Sequence, residues 1–279
     1  MVHPSNLPRP DAAARRVGAL RRAAVRAAQA PSVLNTQPWQ LRIHRGALHV
    51  HADHRRQLAA LDPQRRVLTA SVGCAVFAAR ASLAADGYGV VVRRFPDPFA
   101  ADLLAVLEPD ASATVDASAL SDGDWLGDVR TAVTAEGVRL HVLDELERGL
   151  VSELNGQADR IENLDPTYRA ELDAWTPNGD RDRVVGADEC LALLVTDGDE
   201  ATDWLRAGEA MMRARQVAAA AGHDVRPSTQ VIEVASARAR LRRALGLSGH
   251  PQMLLRVGRG SSTSATNRRR LVDVLVEES

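Results

Sequence analysis

The stretch that decides the fold is Ala30-Pro31-Ser32-Val33-Leu34-Asn35-Thr36-Gln37-Pro38-Trp39. It follows residues 11–29, an Ala- and Arg-rich segment whose apolar residues recur at helical spacing. Pro31 disfavours helical backbone at the residue before it, so the helix ends there. The polar side chains of the stretch bring several hydrogen-bond donors and acceptors together. This pattern predicts a turn that could line a flat polar ligand, although an ordinary helix-to-strand turn has the same composition.

Outward from this turn, helical and strand patterns mix along the whole chain. The first half predicts strands within residues 39–50 around Gly46, a helix at 67–86, and strands at 89–94 and 103–107. A small, polar segment at 109–121 predicts a junction. The second half predicts helices at about 122–136, 144–160, 200–221 and 234–245, and strands at 138–143, 191–196 and 252–257. This mixture is typical of the α+β class.

An internal echo links the two halves. When the chain is shifted by 135 residues, residues 73–90 fall on residues 208–225, and eight of eighteen positions agree. Four agreements are alanine in an Ala-rich protein, whereas Gly73 matching Gly208 and Arg80 matching Arg215 carry more weight. The echo predicts a central helix in each of two related halves, with two unrelated Ala-rich helices as the alternative.

Composition excludes several classes of function. A net charge of −1 and 3% aromatic residues disfavour nucleic-acid binding, and no apolar run predicts a membrane span. The two isolated cysteines fit a cytoplasmic protein. Every basic residue is arginine, which excludes a Schiff-base or P-loop lysine. We find no catalytic side-chain arrangement and expect no metal, because His49 and His51 are more typical of an exposed strand.

The turn matches A-P-S-x-x-N-x-Q-P-W, the signature of FMN-dependent nitroreductases, and the chain resembles their Acg-type subgroup. Leu34 stands where that subgroup commonly has histidine. Further similar blocks lie at residues 51–75, 203–210, 249–258 and 267–275. The resemblance therefore spans about residues 20 to 275.

The resemblance implies a nitroreductase-like α+β fold in which a single chain mimics the family dimer. Residues 1–279 would form one unit, with residues 11–110 as the first half and residues 120–279 as the second. FMN would bind at the interface of the two halves. The implied cofactor-binding residues are Ser32, Asn35, Gln37, Pro38 and Trp39 on the turn, Arg268 and Arg269 at the phosphate, and Ser228 near the ring edge.

The implied activity is that of an NAD(P)H-dependent FMN oxidoreductase, which passes hydride through the flavin N5 to a nitroaromatic or quinone-like acceptor. The partners would be a nicotinamide cofactor, NADH or NADPH, and a small aromatic acceptor. The chain would be a monomeric pseudo-dimer or a homodimer. A flavin-sequestering protein without turnover and a flavin-free paralogue remain alternatives. Two features of the subgroup are absent: residues 114–120 lack its arginine-rich segment, which motivates the flavin-free alternative, and residues 175–183 run almost directly into the next strand, so the lid is shortened or deleted. Together they are compatible with a more accessible enzyme or with a degenerate flavin pocket.

Overall fold

The computed structural model describes residues 12–110, 124–176, 189–228, 230–259 and 267–277. The helices in these ranges are α1 (Ala12–Ala28), α2 (Arg66–Ala85), α3 (Trp125–Thr134), α4 (Glu145–Leu164), α5 (Pro166–Trp175), α6 (Ala201–Ala220), α7 (Gln230–Glu233) and α8 (Ala235–Ala244). The strands are β1 (Trp39–His44), β2 (Ala47–Ala52), β3 (Gly89–Arg94), β4 (Leu103–Asp110), β5 (Arg139–Val142), β6 (Cys190–Thr196), β7 (His223–Ser228), β8 (His250–Arg259) and β9 (Leu275–Glu277). The predicted α+β class is confirmed.

The strands form two sheets, with orders β3-β4-β2-β1-β9 and β5-β6-β8-β7. Apart from β9, which pairs parallel to β1, neighbouring strands are antiparallel. Without β9, the first sheet has the order β3-β4-β2-β1. Read from its other edge, the second sheet has the order β7-β8-β6-β5, so four strands follow the same order in both sheets. Each also has a register shift in its central pair, between Val50 and His51 and between Leu194 and Val195.

The connections distinguish the two sheets. A tight turn at Arg45 and Gly46, both with positive φ, joins β1 to β2. The corresponding strands β5 and β6 are separated by α4 and α5. In the same way, α7 and α8 lie between β7 and β8, whereas a short loop joins β3 to β4. The segment from β5 to β8 is therefore longer than the segment from β1 to β4 because helices lie in its sheet connections.

The two central helices, α2 and α6, cross at a pair of glycines. A Cβ atom at Gly73 would lie 2.0 Å from the Leu205 carbonyl oxygen, and one at Gly208 would lie 1.8 Å from the Ala70 carbonyl oxygen. The shift of 135 residues that aligns Gly73 with Gly208 also aligns Ala70 with Leu205. The contact is thus reciprocal, and only glycine permits such a close approach of two helix backbones.

Helix α2 is apolar and long enough to cross a membrane by composition alone. Most of its residues are buried, and it packs against α1 on one side and α6 on the other. Burial inside the protein accounts for its apolar character, so this helix does not indicate a membrane span.

Four elements were not predicted from the sequence, the one-turn helix α7 among them. Helix α5 was missed, although Asp165 caps it through the amides of Thr167 and Tyr168 and Pro166 occupies its first turn, where the fixed φ of proline suits a helix. Strand β7 was expected only as an extended segment after Gly222. Strand β9 has three residues and forms by pairing with β1, a contact that the local pattern does not encode.

Candidate functional site

The turn at residues 31–39 holds three residues in left-handed backbone conformations. Leu34, Asn35 and Gln37 have φ angles of 43°, 55° and 48°. Ser32 Oγ accepts a hydrogen bond of 2.8 Å from the Gln37 backbone amide, and Thr36 Oγ1 donates one of 2.9 Å to the Val33 carbonyl. Such conformations cost free energy, cluster at functional sites and persist only where surrounding contacts enforce them. The conformation of this turn is therefore imposed by its surroundings.

Those contacts come from the far end of the chain. The Asn35 side-chain amide donates to the Asn267 carbonyl at 2.9 Å, and the Gln37 side-chain amide donates to the same carbonyl at 3.2 Å. The Arg269 backbone amide donates to Gln37 Oε1 at 2.8 Å. Residues more than 200 positions apart in the sequence thus form one unit. The structure brings together the two segments that the sequence suggested for one ligand.

Arg269 is committed to holding this unit together. Its guanidinium donates to the carbonyls of Gln37 at 3.1 Å, Trp39 at 3.3 Å and Asp273 at 3.0 Å. Asp53 lies 3.6 Å away. With its donors directed to backbone oxygens, this side chain acts as a clamp between the turn and the C-terminal segment.

Arg268 contacts the same turn in a different environment. Its guanidinium donates to the Gln29 carbonyl at 3.1 Å and to Asn35 Oδ1 at 3.3 Å. Burial, and then the positive charge of Arg215, lower the pKa of Arg268. Arg215 also forms an ion pair with Asp224 at 3.9 Å. The charge of Arg215 therefore acts on Arg268, and the sequence did not assign Arg215 to the site.

A cavity of about 540 Å³ opens against the turn. Its described walls come from both halves of the chain: Pro31, Ser32, Val33 and Leu34 from the turn, Leu61, Val67, Ala70, Ser71 and Cys74 from α2 and the segment before it, Met211, Pro227, Glu233 and Met253 from the second half, and Asp159, Glu162, Asn163, Tyr168, Leu172 and Thr176 from α4, α5 and the residue that follows. The cavity thus lies between the two halves and beneath the α4–α5 pair.

Ser32 is the one predicted site residue among these described wall residues. Trp39 is fully buried in the core, and its indole nitrogen has no hydrogen-bond partner among the described residues. Pro38 is buried and its carbonyl accepts from the Asp53 amide at 3.0 Å. Ser228 is buried at the end of β7, next to the wall residue Pro227. Asn35, Gln37 and Arg269 hold the turn in place, as described above.

The α4–α5 side of the cavity carries negative charge. Burial raises the pKa of the Tyr168 phenol, and the carboxylates of Glu233, Glu162 and Asp159 raise it further, with a hydrogen bond to Glu162 contributing. Tyr168 is therefore a neutral hydrogen-bond donor at physiological pH.

Sequence reasoning missed this wall because it missed α5, although Asp165-Pro166 is a recognisable helix start. Residues 177–188, where the lid deletion was inferred, lie outside the described residues, as do residues 114–120.

The α2 wall offers no activated nucleophile. Burial raises the pKa of the Cys74 thiol to about 12, so the thiolate is absent at neutral pH. Ser71 Oγ is engaged by the Val33 amide at 3.1 Å and the Val67 carbonyl at 2.8 Å. No histidine is among the described wall residues. The cavity is equipped to bind and orient a largely apolar group with polar edges rather than to attack it.

No family model matches this chain. The chain is 29% identical to a Mycobacterium tuberculosis H37Rv protein provisionally named NAD(P)H nitroreductase Rv3131, over 83% of this chain and 82% of the relative. It is 26% identical to the protein provisionally named NAD(P)H nitroreductase acg from the same strain, over 83% and 86%. An uncharacterised protein of that strain, Rv3127, is 25% identical over 92% of each chain. The chain is similar to these proteins over most of its length.

Proposed function

We propose that this protein is an FMN-dependent NAD(P)H oxidoreductase of the nitroreductase type, acting on a nitroaromatic or quinone-like acceptor. The observation that carries the proposal is the docking of residues 267–269 onto the 31–39 turn beside a cavity of about 540 Å³. Small-molecule and cofactor sites are commonly clefts of about 300–1,000 Å³ with mostly apolar walls and a few polar groups. The provisional names of the relatives Rv3131 and Acg support the same class of activity.

The residues around the cavity fit FMN. The apolar wall residues Val33, Met211 and Met253 suit the flat rings, and Ser32 supplies a polar edge. The phosphate of FMN carries nearly two negative charges at neutral pH. Arg268, with Arg215 beside it, is the cationic part of the site, whereas the α4–α5 wall is acidic. The phosphate would therefore lie toward Arg268, where a guanidinium can match it with charge-assisted hydrogen bonds.

We further propose that a single chain supplies both halves of a site that two subunits form in the family dimer. The proposed halves are residues 11–110 and residues 120–279. Supporting this division, the described strands of each half follow one sheet order, and Gly73 and Gly208 form a reciprocal helix crossing. The turn belongs to the first half, and Pro227, Ser228 and Arg268 belong to the second. A site built from both halves needs no second copy of the chain to complete it.

In the reaction that we propose, bound FMN supplies the redox chemistry by accepting a hydride from the nicotinamide donor and reducing the acceptor. The protein contributes binding and orientation. The strained turn fixes Ser32, and Asn35, Gln37 and Arg269 keep that turn rigid. Tyr168 and Leu172 line the cavity on the α5 side. Neutral Tyr168, hydrogen-bonded to Glu162, would offer its ring to an aromatic acceptor.

An absorption spectrum tests the proposal directly. The purified protein, after incubation with FMN and removal of the excess, should show bound flavin absorbance that is bleached by NADH or NADPH without oxygen. Addition of a quinone should restore the absorbance. A protein that remains colourless would remove FMN from the proposal, and a yellow protein that neither nicotinamide bleaches would leave flavin binding without turnover.

Replacing Arg268 with glutamine is expected to weaken FMN binding about 10- to 100-fold, because a charge-assisted contact contributes roughly 1.5–3 kcal/mol. Fluorescence titration of the apoprotein with FMN measures the change. Arg270→Gln is the matched control, since Arg270 is exposed and pairs with Asp273 at 3.1 Å. Because Arg268 also bonds to Gln29, urea unfolding should accompany the titration. Equal FMN affinity of the two variants would contradict the phosphate role.

Replacing Asp159 with asparagine is expected to lower the KM for NADPH about two- to fivefold at low salt, because the acidic wall repels an anionic donor. The effect should vanish at high ionic strength, and the KM of a neutral quinone should not change. Asp173→Asn, on the exposed side of α5, removes the same charge away from the cavity wall. If both variants lower the KM equally, the effect comes from net charge and the wall has no specific role.

The same acidic wall favours one alternative, a flavin-binding protein without turnover. Three carboxylates around Tyr168 hinder the approach of a nucleotide that carries several phosphates. This function predicts tight FMN binding. It also predicts that NADH or NADPH bleaches the flavin absorbance slowly, and no faster in Asp159→Asn than in the wild type. Rapid bleaching of the wild type would reject it.

A further inference from the structure

A second concave surface lies on the other side of the α7–α8 junction from the cavity. Glu233 lines the cavity, and Ala235, two residues later, lines this groove of about 780 Å³. Its floor is small and apolar, with Ala235, Ala239 and Pro251. Its charged rim consists of Arg238, Arg242, Arg243, His250 and Asp199.

Asp199, the one described carboxylate in the groove, already accepts hydrogen bonds from neighbouring side chains. Asp199 accepts hydrogen bonds of 2.9 and 2.7 Å from Arg238, one of 3.0 Å from Trp204 and one of 3.1 Å from Gln252. Burial raises its pKa, but these donors outweigh burial and hold the pKa of Asp199 well below its ordinary value. Asp199 is therefore a permanent anion whose closest partner is Arg238, with Arg66 and His250 at 3.8 and 3.7 Å.

The remaining guanidinium groups carry the charge of the groove. Arg242 and Arg243 follow each other at the end of α8 and line the groove. Their carbonyls accept the backbone bonds that end the helix, but neither side chain forms a hydrogen bond or ion pair with any described residue. Cations in the last turn of a helix favour the helix dipole, which is one reason for their presence. That role does not require a concave surface with an apolar floor. Two unpaired guanidinium groups above such a floor are the arrangement that binds a phosphate attached to a ring system.

We infer that this groove is a phosphate-binding site, with Arg242 and Arg243 as the phosphate ligands and the apolar floor receiving the ribose or base of a nucleotide. Free pyrophosphate has the same anionic chemistry and is the other possible source. The site lies outside the cavity proposed for FMN and does not depend on flavin binding.

Calorimetric titration of the full-length apoprotein at low salt tests the inference, with ADP and sodium pyrophosphate as separate probes. Arg242→Gln/Arg243→Gln should weaken binding of the preferred probe at least about tenfold. The control Arg160→Gln/Arg240→Gln removes the same charge from α4 and α8 outside the groove, where Arg240 bonds to Gln157, and should stay within about twofold of the wild type. Tighter binding of ADP identifies a nucleotide site, and tighter binding of pyrophosphate identifies the free anion.

Two further readings complete the test. Arg268→Gln should leave binding in the groove unchanged, which separates it from phosphate bound at the FMN site. Urea unfolding confirms that the groove variants are folded, as expected for residues on an accessible helix end. The inference is overturned if the wild type shows no saturable binding of either probe, or if the groove variant binds both as the wild type does.

Discussion

Replacing Gly208 with alanine is expected to destabilise the protein by about 3 kcal/mol or more, at or above the usual upper range for overpacked cores. The added Cβ would lie 1.8 Å from the Ala70 carbonyl oxygen and 3.1 Å from the Ala70 Cα atom. Both atoms belong to the backbone of α2, so no side-chain rotation can relieve the clash. The two central helices would have to separate, and the packing that both sheets share would loosen. Urea unfolding measures the loss.

Gly156→Ala is the matched control for this prediction. Gly156 is also in a helix interior, but a Cβ there meets nothing within 4 Å. Alanine has the higher helix propensity, so this variant should be more stable than the wild type by about 0.5–1 kcal/mol. Gly73→Ala should behave like Gly208→Ala because the crossing is reciprocal. Unchanged stability of Gly208→Ala would show that the helices do not approach as closely as the structure indicates.

Replacing Glu209 with leucine is expected to cost about 3–5 kcal/mol, the range for removing one partner of a buried ion pair. Glu209 has no exposed surface and accepts two hydrogen bonds of 2.7 Å from Arg94. Burial raises the pKa of Glu209, but its two short hydrogen bonds from Arg94 favour the ionised pair, and although burial opposes them, the same bonds raise the pKa of Arg94. Arg80 lies 3.4 Å away and would lose one of its two anionic partners, keeping Glu136. The loss would be measured by urea unfolding at neutral pH.

The neighbouring pair Arg93 and Glu108 provides the control, because it lies on the exposed side of the same hairpin. Glu108→Gln should cost no more than about 1 kcal/mol, as is usual for exposed ion pairs. The double variant Glu209→Leu/Arg94→Met should recover part of the stability lost in Glu209→Leu, because it removes the uncompensated charge. If Glu209→Leu unfolds at the wild-type urea concentration, the buried ion network has no stabilising role.

Cys74 and Glu209 show how α2 and α6 differ at one corresponding position. At the 135-residue shift, Glu209 corresponds to Cys74. Cys74 is a neutral thiol on the cavity wall, whereas Glu209 pairs with the partly buried Arg94 and Arg80. The same helical position therefore faces a cavity in the first half and an ion network in the second. This difference rests on a single side chain in each helix rather than on the backbone.

Several features of the site were within reach of the sequence. The 30–39 stretch located the turn, and its proximity to residues 268–269 was expected from the resemblance. The roles of the individual side chains were not. Asn35, Gln37 and Arg269 bind each other across more than 200 residues, and Arg215 comes to lie beside Arg268 only in the folded chain. Helix α5 was missed for a different reason, since its start signal at Asp165-Pro166 was present in the sequence.

By itself, the sequence determined the mixed α+β class, the position of the turn and the central helix of each half, because local propensity, apolar periodicity and glycine spacing are written along the chain. Only the tertiary structure decided that four strands of each sheet follow the same order, that α5 lines the cavity and that two arginine side chains in the groove at the end of α8 have no partner among the described residues. Those features depend on contacts between residues far apart in sequence, which form when burial of the shared core brings the two halves together.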